Sequence, residues 1–225
     1  MNTGLRLGGL CSLLFAGLWA VGTTLYLVAV GSPGPPASNE ALIEAMRHPA
    51  YRAAFLWVWP AAWIASLVVA PAFFIHLRDR APASSLAGMM FLLANAIYQF
   101  LVGAPSLAAI SVAQTDPVDQ AKLRLFQALS SASYPYLITV AALALLSWGM
   151  ALRKGAGLER LAGVSFLVAF VSALAWKALG AGVLAEAMHE TMVVTGLIVP
   201  YGAMGIVLLR GKPVREPMVA DGASP

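Results

Sequence analysis

The sequence is poor in charge and almost without cysteine. Asp, Glu, Lys and Arg make up 11% of its 225 residues, less than half of the roughly 25% usual in soluble domains. So few charges cannot cover a water-soluble fold of this size, and a soluble globular domain is excluded. Cys11 is the single cysteine. That rules out an intramolecular disulfide, a cysteine-based metal cluster and a redox thiol pair, and Cys11 reads as a small apolar residue. The 14 basic residues are scattered between the apolar stretches, with no long run or single face to hold nucleic acid, so no nucleic-acid partner is expected. Also missing is the period-two alternation that a transmembrane β-barrel needs.

What is present is apolar surface. Hydrophobic residues make up 60% of the chain and the mean hydropathy is +0.80. Six apolar stretches run over 7–30, 54–76, 85–112, 129–152, 161–183 and 190–209, each near the ~20 residues that cross a bilayer core. Without alternation, such runs can only be helices. The expected fold is all-α: a polytopic bundle of six transmembrane helices over 1–212, partnered by the lipid bilayer, with a disordered cytoplasmic tail over 213–225.

Charge placement predicts orientation. Arg6, Arg78, Arg80, Arg153, Lys154, Arg160, Arg210, Lys212 and Arg215 fall on one side, and Arg47, Arg52, Lys122, Arg124 and Lys177 on the other. The excess marks the first side as cytoplasmic and puts both termini there. Residues 1–31 also have the small residues Ala29-Val30-Gly31 of a secretory cleavage site. An apolar run of about 24 residues exceeds the 7–15 of a signal core, so a retained anchor is favoured.

Both longer outer loops carry amphipathic helix signals. Ser38 is placed to cap a short helix with Leu42, Ile43 and Met46 on its apolar face, ended by Pro49. In the second loop Asp116 reads as an N-cap with Pro117 at the first helical position. The inward-starting helices share a theme in Leu7-Gly8-Gly9, Leu86-Ala87-Gly88 and Leu161-Ala162-Gly163, about 75 to 79 residues apart, which is compatible with three related hairpins.

A charge in hydrocarbon costs several kcal/mol, so polar residues inside the spans mark candidate sites. Lys177 lies in the outer part of the fifth span, within reach of Glu186 and Glu190 at the turn into the sixth, with His189 between them. Ion pairing, snorkelling and substrate binding are its three readings. Glu186, His189 and Glu190 form an E-x-x-H-E string, but no second ligand set accompanies it, so neither metal nor cofactor is expected. Asn95 and Gln99, four apart, share one face of the third span and need partners inside the bundle. The fourth span opens with Ser130, Ser131, Ser133, Tyr134, Pro135, Tyr136 and Thr139, while Thr23, Thr24, Tyr26, Thr191 and Thr195 lie at similar depth. Trp57, Trp59 and Trp63 read as an interfacial belt or a pocket floor. Pro200-Tyr201-Gly202 reads as a break in the sixth helix.

With the opening Arg6-Leu7-Gly8-Gly9-Leu10, six spans and short basic inner loops, the chain resembles small bacterial six-helix inner-membrane protein families of unknown function. That resemblance implies a layout and no functional residue. The residues themselves favour binding or transport of a small amphipathic or lipid-like molecule through an outward-facing pocket of Lys177, Glu190, Glu186, His189, Tyr134, Gln99 and Asn95. The alternative is a structural or regulatory subunit, or a homo-oligomer, packing through small-residue faces such as Gly4-x-x-x-Gly8 and Ala178-x-x-x-Gly182. An intramembrane enzyme using His189 or Glu190 lacks a nucleophile.

Overall fold

Backbone polar groups in lipid must be satisfied within the protein, and this chain does so with helices alone among the described residues. The computed structural model describes residues 3–32, 36, 38–179 and 183–211, without the side chains of Val102, Tyr134, Val183, Ala185 and Glu186. The expected tail and the Pro/Gly turn before Ser38 lie outside the described residues or only partly within them. The elements are α1 (Thr3–Val30), α2 (Asn39–Arg47), α3 (Pro49–Ala53), α4 (Trp59–Leu77), α5 (Pro82–Ala113), α6 (Gln120–Leu152), α7 (Leu158–Leu179), α8 (Val183–Val193) and α9 (Val199–Arg210). One π-helical turn joins α3 to α4 (Ala54–Val58) and another joins α8 to α9 (Val194–Ile198).

Six segments are long and apolar enough to span a bilayer: Thr3–Val30, Pro49–Leu77, Pro82–Ala113, Gln120–Leu152, Leu158–Leu179 and Ala187–Arg210. The polytopic all-α bundle expected from the sequence is therefore the architecture found. Helices adjacent in the chain pack together in the order α1, α4, α5, α6, α7, α9, and α9 returns to α1 to close a ring. Because Gly9 on α1 abuts Gly205 and Leu209 on α9, the two ends of the described chain share one end of the bundle, here termed the terminal end.

The terminal half is closely packed. Tyr201, 2% exposed, stands at its centre. Its ring lies 4.3 Å from Phe15 and 5.4 Å from Phe166, while Phe73 meets Trp148 at 5.3 Å. Between helices in lipid such packing replaces the hydrophobic effect as the source of cohesion. A Cβ added at Gly88 would stand 2.7 Å from the Trp148 indole, and one at Gly163 would stand 2.7 Å from the backbone at Leu152 and Arg153. At Gly8 it would overlap Ala72. The Gly theme of the sequence thus marks places where a helix crosses its neighbour too closely for a side chain. Gly8 is used inside the bundle, so that half of the Gly4-x-x-x-Gly8 face does not look outward.

At the terminal end Arg80 grips Glu159 with both arms, at 2.7 and 3.1 Å, and His76 Nε2 meets the same carboxylate at 2.8 Å. This cluster ties the end of α4 to the start of α7. Exposed Leu10, Leu14, Val28, Ile64, Leu101 and Val171 cover the outside of the ring, as a lipid-facing surface requires.

At the far end α2 packs on α5 and α1. Ser38 caps it by accepting the Ala41 N–H at 3.2 Å, as its position in the sequence predicts. Met46 and Ala45 are buried on a second small core with Ala109, Ile110, Ala113 and Leu123. Arg47 donates to the Ala113 and Thr115 carbonyls at 2.7 and 3.0 Å, satisfying acceptors at the end of α5.

Two expectations need correction. Asp116 and Pro117 precede the helix in the second outer loop; the cap is Asp119, which accepts the Lys122 N–H at 3.1 Å. That bond, with the Lys122 ammonium beside it, holds the Asp119 carboxyl below the ordinary carboxylate range. The amphipathic stretch after it is the first part of α6 rather than a separate helix, since α6 runs unbroken from Gln120 to Leu152, through Pro135. Nor does Pro200-Tyr201-Gly202 break the sixth span. The chain instead widens by a π turn just before the proline, with Val199 N–H donating to Val194. Pro60 is treated the same way, Trp59 N–H donating to Ala54. A proline ring crowds the preceding turn and offers no N–H, and a π turn relieves that crowding without ending the helix.

Candidate functional site

The helices enclose a cavity of about 1010 Å³ in the far half of the bundle, at the upper end of the ~300–1,000 Å³ typical of small-molecule pockets. Regular helical stripes build its wall. From α5 come Leu92, Asn95, Gln99, Gly103 and Ser106, spaced by three and four. From α1 come Trp19, Thr23 and Tyr26, and from the π turn and α4 come Phe55, Trp59 and Trp63. Tyr201 floors the cavity, and Leu42 and Met46 of α2 lie at its far end.

The aromatic side is continuous. Trp19 lies 5.8 Å from Trp59 and 5.5 Å from Trp63, Phe55 lies 4.5 Å from Trp59, and Tyr51 stacks on Phe55 at 4.4 Å. Trp57, grouped with Trp59 and Trp63 in the sequence reading, is 74% exposed on the outside. Positions 59 and 63 are one turn apart, and 57 falls on another face. Both π turns border the cavity through Phe55 and through Val194, Leu197 and Ile198. π turns concentrate at functional sites.

Of the seven residues singled out from the sequence, Asn95, Gln99, His189 and Glu190 are brought together on this wall. The side chains of Tyr134 and Glu186 lie outside the description. Lys177 does not line the cavity: its ammonium is exposed and donates to Thr139 Oγ1 at 3.3 Å. Among the described residues no ion pair joins it to Glu190. His189 packs on Trp176, ring centres 4.9 Å apart. No group of three or more His, Cys, Asp or Glu among the described residues is placed to hold a metal.

Several hydroxyls of the far half serve their own helices. Thr24, Thr139 and Thr191 bond carbonyls one turn back at 2.8–2.9 Å. The polar groups that do reach the wall include Ser106, bonded to Ser130 at 3.1 Å, and Gln127. Asn95, 3% exposed, has an amide oxygen without a protein partner, as do the Gln127 amide nitrogen and the Trp19 and Trp59 indole nitrogens. Unpaired buried polar atoms are rare in folded proteins, and the four residues that carry these all line this one cavity.

Sequence reasoning missed Trp19, Tyr51, Phe55, Gln127 and Trp176. For Trp19 a signal existed, since Trp19, Thr23 and Tyr26 recur at i, i+4 and i+7. Comparison with protein families, curated proteins and solved structures finds no match in any of the three.

Proposed function

We propose that this protein binds, and passes along or across the membrane, a small amphipathic or lipid-like molecule held in the far-half cavity. The observation that carries this reading is the cavity's composition. Aromatic and aliphatic carbon dominates the wall of this cavity of about 1010 Å³, interrupted by Asn95, Gln99, Gln127, His189 and Glu190. Such a wall suits a ligand with one polar end and an apolar body. Leu27 on α1 and Val194 in the second π turn are both exposed and both line it. An apolar ligand could therefore come directly from lipid.

In this reading the protein sits in a bacterial inner membrane with both termini cytoplasmic, following the basic excess at the terminal end, and the cavity opens toward the other side. The competing role, a subunit packing through small-residue faces, is weakened by the inward use of Gly8 against Ala72. Native mass spectrometry from mild detergent separates the two. The binding reading expects a retained small molecule on the wild type that is lost in Gly103→Phe, whose new side chain enters the cavity. Equal occupancy in both proteins, or a discrete oligomer with nothing retained, defeats it.

A further inference from the structure

We propose that the ligand's polar end is a cation, an amine or quaternary ammonium on an apolar body; this rests on the cavity being a binding site. The charge inventory of the wall carries the inference. Among the described lining residues Glu190 alone is formally charged, and no lysine or arginine lines the cavity. The sequence offered Lys177 as its counter-charge, but that ammonium is turned to Thr139 on α6. No hydrogen bond or ion pair among the described residues engages the Glu190 carboxylate. Glu190 is an exposed side chain that also lines the cavity, and a positive charge that a ligand brings beside it is attracted to it.

The rest of the wall favours the same sign. Ring faces attract cations and repel anions, with useful attraction when the charge lies within ~6 Å of a ring centre. Trp19, Tyr26, Tyr51, Trp59, Trp63 and Trp176 all line this cavity. The indole N–H edges, which would favour an anion or a carbonyl, are turned away from free space at Trp19 and Trp59, the latter packed on Gly22. What these two residues present to a ligand is therefore ring carbon. An anionic head would meet Glu190 and find no basic partner.

The test uses the full-length protein in a neutral maltoside detergent and three probes of similar bulk: tetraphenylphosphonium, tetraphenylborate and neutral triphenylphosphine oxide. Binding is counted as the saturable part removed in Gly103→Phe. Tetraphenylphosphonium is expected to bind at least about tenfold tighter than tetraphenylborate. Glu190→Gln should weaken the cation by about tenfold, Glu190→Asp by much less, and neither should change binding of the neutral probe. Equal or tighter binding of the anion, or a Glu190→Gln variant that holds the cation unchanged, overturns the inference while leaving the cavity a binding site. Absence of saturable binding by all three probes overturns the binding reading, and the inference with it.

Discussion

Lys177 Nζ donates to Thr139 Oγ1 at 3.3 Å, bridging α7 to α6. The hydroxyl can accept because its own proton goes to the Pro135 carbonyl at 2.9 Å. Among the described residues Lys177 forms no ion pair with Glu190, so the two charges are expected to act independently. The measurable consequence is additivity. In a double-mutant cycle of Lys177→Met and Glu190→Gln, the coupling energy is expected within about 0.5 kcal/mol of zero. Lys177→Met alone should shift stability by less than about 1 kcal/mol, as for exposed charges generally. A coupling above about 1 kcal/mol in reversible unfolding would show a direct pair.

Glu159 is the hub of the terminal-end cluster, 15% exposed and engaged by both Arg80 and His76. At 2.8 Å from a carboxylate oxygen, His76 Nε2 carries its proton and donates it. Glu159→Gln removes the carboxylate charge that all three bonds share and should lower stability by about 1–3 kcal/mol, the range for weakening bonds to a charged group. His76→Gln should cost less, because Arg80 still holds the carboxylate. Thermal unfolding in detergent checks the order. A Glu159→Gln variant as stable as wild type would reduce the cluster to a surface contact.

The division between what the sequence revealed and what it hid follows from range. Six helices were legible because each is written locally, as a run of apolar residues. The Ser38 cap was legible for the same reason, since its bond reaches only to Ala41. Asn95 and Gln99 were legible as one face, because helical spacing fixes that. Partner choice was not: whether Lys177 meets Glu190 or Thr139 depends on how α6, α7 and α8 sit around the ring, and no local spacing encodes that. Sorting Trp59 and Trp63 from Trp57 needed only the helical period, but learning what they face needed Trp19 from another helix.

Arg47 fastens α2 over the far end of the cavity. Its two bonds to Ala113 and Thr115 are joined by one from Gln114 to the Met46 carbonyl at 3.1 Å. Arg47→Met keeps the stem and removes two of the three bonds, each worth roughly 1 kcal/mol. Hydrogen exchange across Asn39–Arg47 should then rise by about tenfold or more, with exchange in Trp59–Leu77 unchanged. Equal rates in both proteins would mean that the apolar contacts of Ala45 and Met46 alone hold α2 in place.

Gly103 sits between Gln99 and Ser106 on the cavity stripe of α5, and a Cβ added there meets nothing within 4 Å. A side chain placed on this stripe therefore starts in open space and is expected to fill part of the cavity. Replacing a helical glycine also recovers up to about 1 kcal/mol of helix propensity. Gly103→Phe should therefore fold at least as well as wild type and lose tenfold or more in ligand affinity. Two other glycines frame the result. Gly17 also has open space around it but lies off the cavity wall, so Gly17→Phe should fold and bind normally. Gly88 has the Trp148 indole 2.7 Å from where its Cβ would be, so Gly88→Phe should destabilise by about 1–3 kcal/mol or more through overpacking. Thermal unfolding and probe binding on the three variants separate loss of fold from loss of site. If Gly103→Phe binds as Gly17→Phe does, the stripe of α5 does not face the ligand.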